Sequence, residues 1–149
     1  MLTLALRLMS GKNYSMNANL NTAPSKARLW TGRIVGGLPA LFLVLDAVMK
    51  LVKPEPIVKA TVELGFPEAA IVPLGIVLLT STILYLIPRT AILGAVLLTG
   101  YLGGAVATHV HVGHGAFEIL FPVVFGMLLW LGLWIRDARV RALMPLRQM

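Results

Sequence analysis

Four stretches of the chain run for roughly twenty residues each with almost no charged side chain, and the polar residues collect between and outside them. A bilayer core takes about 20 mostly apolar residues of helix, so each stretch predicts one membrane-spanning helix. The first covers about residues 30–52 and is stopped by Lys53-Pro54-Glu55-Pro56, where the prolines remove donors and push their neighbours out of the helical region. The second covers about 67–87, with Pro67 in a first-turn position and Pro88 closing it. The third, about 90–112, follows so short a turn that spans two and three must form an antiparallel hairpin. The fourth, about 116–135, ends at Arg136-Asp137-Ala138-Arg139. Pro39, Pro73 and Pro122 fall inside the spans, where neighbouring helices tolerate a kink that would break a soluble helix.

The segments outside the spans read differently. Residues 10–28 are polar and without periodicity, the signature of a disordered tail. The opening MLTLALRLMS faintly resembles a signal peptide, but Arg7 breaks its apolar run and no small-residue cleavage site follows, so a cleaved signal is not expected. Met16 is an alternative start, which N-terminal sequencing of the native protein would decide. Between spans one and two, Ile57, Val58, Thr61 and Val62 share one helical face while Lys59 and Glu63 share another at i,i+4. This predicts a short amphipathic helix at the outer interface with Gly65 as its C-cap, acting as a lid over the bundle or, the plainer reading, as a surface linker. The expected organisation is a disordered basic tail over 1–29, a membrane domain over 30–136 and a second basic tail over 137–149. The fold class is all-α: a transmembrane four-helix bundle with an interfacial helix between spans one and two.

Composition agrees and adds exclusions. Of 149 residues, 58% are hydrophobic and 13% charged, the wrong ratio for a soluble domain. The absence of cysteine excludes disulfides, thiolate metal sites, covalent haem attachment and dithiol redox chemistry. A net charge of +7 could suggest nucleic acid, yet the bases flank apolar spans and interleave with no aromatic pattern, so anionic headgroups and topology explain them and no nucleic-acid partner is expected. Ten bases lie before or at the start of span one, in the second turn or after span four, namely Arg7, Lys12, Lys26, Arg28, Arg33, Arg89, Arg136, Arg139, Arg141 and Arg147; three, Lys50, Lys53 and Lys59, lie on the other side. Cytoplasmic flanks carry the excess of Lys and Arg, so both termini are expected in the cytoplasm, and an even number of spans agrees in putting them on one side.

Ionisable groups within spans cost free energy, about 2.5–3.5 kcal/mol at a helix centre and less toward its ends. Asp46 and Lys50 stand at i,i+4 in span one, acid first, the favourable order for a helical ion pair. His109 and His111 close span three on the same side, His114 lies in the turn and Glu118 opens span four. These six are the ligand-binding candidates, gathered at the outer mouth of the bundle, where they could bind a headgroup, a quinone ring or a small polar molecule and exchange protons through histidine. The plainer reading carries slightly more weight: Asp46 and Lys50 neutralise each other, the histidines solvate the rim, and Glu118 benefits from a helix N-terminus. No metal site is expected, because His109 and His111 at i,i+2 cannot share a helical face, although His114 and Glu118 at i,i+4 could ligate across the turn; haem is not expected either, because no histidine lies deep in a span. Catalytic residues are not identified. Thr80-Ser81-Thr82 and Tyr101 read as helix-bonding polar groups, Gly36-Gly37 and Gly100 with Gly103 and Gly104 as surfaces for close helix contact, and Trp30, Trp130 and Trp134 as a cytoplasmic aromatic belt.

Three stretches together, TGRIVGGLPALFLVLDAVMKLVKPEPIVKATVELGFP, GYLGGAVATHVHVGHG and LLWLGLWIRDARVRALMPL, resemble the DoxX-like family of bacterial four-span membrane proteins over about residues 30–146. The most specific pieces are the Asp46 to Lys50 spacing followed by Lys53-Pro54, the Ala107-Thr108-His109 element, and Trp130-Leu131-Gly132-Leu133 leading into Arg136-Asp137. The resemblance implies a protein of the bacterial cytoplasmic membrane. Namesakes of the family are linked to a thiosulfate:quinone oxidoreductase in which such a chain is a small membrane subunit, while most relatives of this kind have no assigned activity. The implied cofactor is therefore a quinone at most. Asp46 and His109 match the family's pattern, whereas the position of His111 is frequently arginine in relatives, which counts against a metal ligand there.

Three functions remain open at the level of sequence. One is a quinone-associated redox subunit with a redox partner protein, since nothing in this chain holds flavin or iron-sulfur. Another is a small-ligand or lipid binder or carrier, and the third an accessory subunit without a site. The chain is not expected to be an enzyme on its own. Its expected partners are the lipid bilayer, the redox partner if the first reading holds, and further copies of itself in a homo-oligomer.

Overall fold

The computed structural model describes residues 25–143. Helix α1 spans Lys26–Val52, α2 Glu55–Glu63, α3 Ile71–Leu86, α4 Ala91–Val112, α5 Ala116–Arg136 and α6 Ala138–Leu143, with one 3₁₀ turn over Glu68–Ala70 before α3. No strand occurs among the described residues. Among the described residues, α1, α4, α5, and α3 together with its 3₁₀ turn (Glu68–Leu86) are long and apolar enough to cross a membrane. Their outward faces are apolar too: Leu38, Leu41 and Leu45 on α1, Leu93 and Val96 on α4, and Met127 on α5 are all more than half exposed. Such a surface is stable only against lipid.

Local chemistry sets the boundaries. Helix α1 begins four residues earlier than the apolar pattern alone predicts, because Ser25 caps it, its Oγ accepting from the Arg28 N–H at 3.3 Å. Of the tail expected over 1–29, residues 26–29 are thus helical, and residues 1–24, including both candidate starts, lie outside the described residues. Helix α1 ends with Lys53 at φ 55, a left-handed residue whose N–H bonds Met49 O at 3.0 Å ahead of Pro54. Helix α2 ends at Gly65, φ +86, with the Gly65 N–H on Val62 O. Pro73 sits in the first turn of α3, where no intrahelical bond is lost, so of the three expected in-span prolines only Pro39 and Pro122 interrupt a ladder. The α3–α4 turn is stitched by Thr90, whose Oγ1 donates to Leu84 O at 2.8 Å. Helix α4 closes on Gly113 at φ 77, with the His114 N–H reaching back to His109 O. Past Arg136, α6 folds back so that Arg141 Nη1 donates to the carbonyls of Trp134 and Ile135, the open C-terminal end of α5.

In cross-section α1 packs against α5 and α3, and α4 packs against the same two, leaving α1 and α4 across the diagonal. The two ends of this bundle differ. At the end holding the α3–α4 turn, called here the hairpin end, helices meet backbone to backbone. A carbon added at Gly132 would lie 2.5 Å from Gly36 N, and one added at Gly94 would overlap the backbone of Tyr85. Tyr85 is fully buried there; its hydroxyl donates to Leu129 O at 2.8 Å, and Arg136 lies over its ring at 4.9 Å while donating to its carbonyl. The expected contact glycines are only partly these. Gly36 packs closely, but carbons added at Gly37, Gly100, Gly103 and Gly104 would meet nothing within 4 Å. On α4, Gly94 draws helices together, whereas Gly100, Gly103 and Gly104 leave space open.

Candidate ligand-binding site

That space is a cavity of about 510 Å³ at the opposite, α2 end of the bundle. Its walls come from α1, α4 and α5, with Leu74 from α3 and the inner face of α2 across the top. Helix α2 turns Ile57, Ala60, Thr61 and Leu64 toward it, while Val62, expected on that face, is half exposed. On its outer side Lys59 pairs with Glu55 at 2.9 Å and not with Glu63 four residues on; the Glu55-first order is the favoured one. A second ion pair, Lys53 Nζ to Glu68 Oε1 at 2.7 Å, ties the two connections flanking α2 to each other.

The charged and hydrogen-bonding groups Asp46, Lys50, Thr108 and His109 lie just beneath the largely apolar inner face of α2. Lys50 Nζ donates to both Asp46 oxygens, at 2.5 and 2.6 Å, and the pair is largely withdrawn from solvent. Facing it across the diagonal are Thr108 and His109 of α4, with Tyr101 about 10 Å further down that helix by its 1.5 Å rise per residue. Leu43, Leu102, Pro122 and Phe125 line the remainder. Phe42 bridges α1 to α5, its ring edge-on to Phe121 at 5.5 Å and to Phe125 at 5.0 Å between centroids.

Of the six sequence candidates, Asp46, Lys50 and His109 line the cavity. His114 does not, yet its Nδ1 is 2.8 Å from His109 Nδ1. One of these nitrogens carries the shared proton and the other accepts it, so when His114 donates, the proton of His109 sits on Nε2. His111 and Glu118 are exposed and do not line the cavity. The expected gathering of six groups is therefore three wall residues, one partner behind them and two outside. Among the described residues no set of three or more His, Asp and Glu is placed to hold a metal ion.

Sequence reasoning missed part of the wall. Thr108 was visible only as part of the Ala107-Thr108-His109 element, and Tyr101 only as a helix-bonding residue. Gly100, Gly104 and Thr108 recur at i, i+4 and i+8 beside Tyr101, a stripe of small and polar residues on one face of an apolar helix, which is the signal that could have found them.

A family model for the DoxX-like family matches residues 34–132. This chain belongs to the DoxX-like family. The matched segment runs from the third turn of the long α1 to Gly132, the glycine at which α5 touches α1, so the DoxX-like region takes in most of α1 and α5, all of α3 and α4, and every wall of the cavity. No curated protein and no solved structure matches the chain. Membership brings the membrane-spanning architecture with it; the chemistry of this DoxX-like protein has to be argued from its own side chains.

Proposed function

We propose that this DoxX-like protein binds a small, neutral, amphipathic molecule in the cavity beneath α2. The observation that carries the reading is the clustering of Asp46, Lys50, Thr108 and His109 on one side of an otherwise mostly apolar cavity. Asp46 and Lys50 cancel each other's charge, so the polar side offers hydrogen bonds without a net field for an anionic or cationic head. Thr108 Oγ1 already donates to Gly104 O at 2.9 Å and keeps its lone pairs to accept. A few convergent polar groups over an apolar wall, at a volume within the range of about 300–1,000 Å³, is the usual make-up of a small-molecule site.

One observation favours a redox version of this reading. The His109–His114 contact joins the cavity wall to an exposed turn, a two-ring path along which a proton could reach a bound ring such as a quinone. Electrons would then have to come from a redox partner protein.

The proposed setting is the bacterial cytoplasmic membrane with both termini in the cytoplasm and the cavity toward the outer side. Its support is the charge distribution: Lys26, Arg28, Arg33, Arg89, Arg136, Arg139 and Arg141 all belong to the hairpin end, whereas the three ion pairs among the described residues lie at the α2 end.

The deciding experiment is native mass spectrometry with lipid extraction on wild type, Asp46→Ala and His109→Ala. A defined small molecule retained by wild type and lost from both folded variants is the expected result. Bulk phospholipid alone, unchanged across all three, would leave an accessory subunit as the function.

A further inference from the structure

A second, shallower hollow of about 330 Å³ runs along the outside of the bundle between α4 and α5. Gly103 and Gly126 make it: a carbon added at Gly103 would meet nothing within 4 Å, and one at Gly126 only Leu102 at 3.7 Å. Met127, 60% exposed, and Val123 stand on its lipid-facing rim. Two buried residues, Leu102 and Pro122, line both this groove and the inner cavity, so the partition between them is one side chain thick. Pro122 also lacks the N–H that would have bonded the Glu118 carbonyl, so the α5 ladder is interrupted beside the partition.

We infer that the ligand of the cavity carries a single hydrocarbon tail and that the groove between α4 and α5 holds that tail. The inference rests on the cavity being the binding site, and three observations give the tail its route. The hairpin end is closed by the Gly36–Gly132 contact and by Tyr85, and the α2 end is covered by α2 itself, with the Asp46–Lys50 pair, Thr108 and His109 just beneath to hold the polar head, so the tail has to leave by the side. The groove suits an alkyl chain, because its polar groups are satisfied within the protein: the Thr99 hydroxyl donates to Ala95 O and accepts from Trp130 Nε1, both at 2.8 Å. Leu102 and Pro122 are all that divides the two spaces, so a rotation of the Leu102 side chain would join them and let one molecule occupy both. A tail moving from bilayer to groove exchanges one apolar setting for another and gains little from transfer itself. Filling the groove should therefore act by exclusion and discriminate by chain length.

The test uses photoreactive hexadecanol and octanol in nanodiscs of phosphatidylcholine, each with a diazirine either beside the hydroxyl or at the chain end, with adducts mapped by mass spectrometry. In wild type the diazirine beside the hydroxyl should label Tyr101 or Thr108 for both alcohols, and the chain-end diazirine of hexadecanol should label Val123 or Met127, all competed by unlabelled alcohol. Gly126→Leu should abolish the groove adducts and lower cavity labelling by hexadecanol about tenfold, a loss of roughly 1.4 kcal/mol, while leaving octanol unchanged. Gly103→Leu, filling the groove from the other helix, should repeat this pattern and guards against a folding defect in one variant. Equal effects on both alcohols, or groove adducts that unlabelled alcohol does not compete, would overturn the tail assignment and leave the groove to bulk lipid. Absence of competable cavity adducts from either alcohol in wild type would overturn the cavity reading itself, and the tail assignment with it.

Discussion

The hydroxyl of Tyr85, on α3, donates to the carbonyl of Leu129, on α5, across the diagonal of the bundle at 2.8 Å. The two residues are 44 positions apart in the chain, and both are almost completely buried. This bond and the glycine contacts around it hold the hairpin end, so stability and binding are expected to respond to different substitutions.

Tyr85→Phe removes one buried hydrogen bond and leaves the Leu129 carbonyl without that donor. The expected loss is about 1 kcal/mol, read as a lower midpoint of thermal or denaturant unfolding in detergent. Gly132→Ala should cost more, about 3 kcal/mol, because the new carbon meets the Gly36 backbone, which has no side chain to swing away. Neither change should alter which small molecule wild type and variant retain under conditions where both are folded.

Gly104→Leu is expected to do the reverse. Its side chain enters the cavity, where nothing lies within 4 Å of the first added carbon, so unfolding should shift by less than about 1 kcal/mol. Retention of the small molecule in native mass spectra should fall about tenfold or more, since the volume it needs is filled.

The Asp46–Lys50 pair should show strong coupling. Asp46→Asn alone leaves a largely buried ammonium without its counter-charge, and Lys50→Met alone leaves the carboxylate; each is expected to cost about 1–3 kcal/mol. The double variant should recover much of that loss, because two neutral groups of similar size no longer need each other. A double-mutant cycle on unfolding midpoints measures the recovery, and additive losses would show that the two side chains are solvated independently.

The two histidines should separate by role. His109→Ala is expected to lower ligand retention strongly, and His114→Ala only a few-fold, because His114 reaches the cavity through its partner ring alone. Equal losses would mean that His114 itself touches the ligand.

Orientation can be read directly, since the chain contains no cysteine. A single cysteine at His111 should react with a membrane-impermeant maleimide on intact cells, and one at Arg89 only after permeabilisation. The opposite pattern would place the cavity on the cytoplasmic side.

Much of the architecture was legible because the bilayer imposes a one-dimensional rule: length, apolar character and the prolines at 54, 56 and 88 mark the four helices and their ends. The ion pair of Asp46 with Lys50 was legible for the same reason, being a local i,i+4 relation. What was not legible depends on which helix faces which. Gly36 and Gly100 look alike in the sequence, yet one touches the neighbouring helix and the other borders open space, and only the diagonal placement of α1 and α4 decides between them. The His109–His114 contact was hidden differently: it crosses a turn whose sharpness depends on Gly113 at φ 77, outside any helical periodicity.

The glycine contacts at the hairpin end have one more consequence. They involve main-chain atoms, and main-chain atoms are the same whatever side chains stand elsewhere. A bundle clamped in this way keeps its shape when residues at its far end are exchanged, so the rim around α2 can be rewritten for a new guest without renegotiating the scaffold.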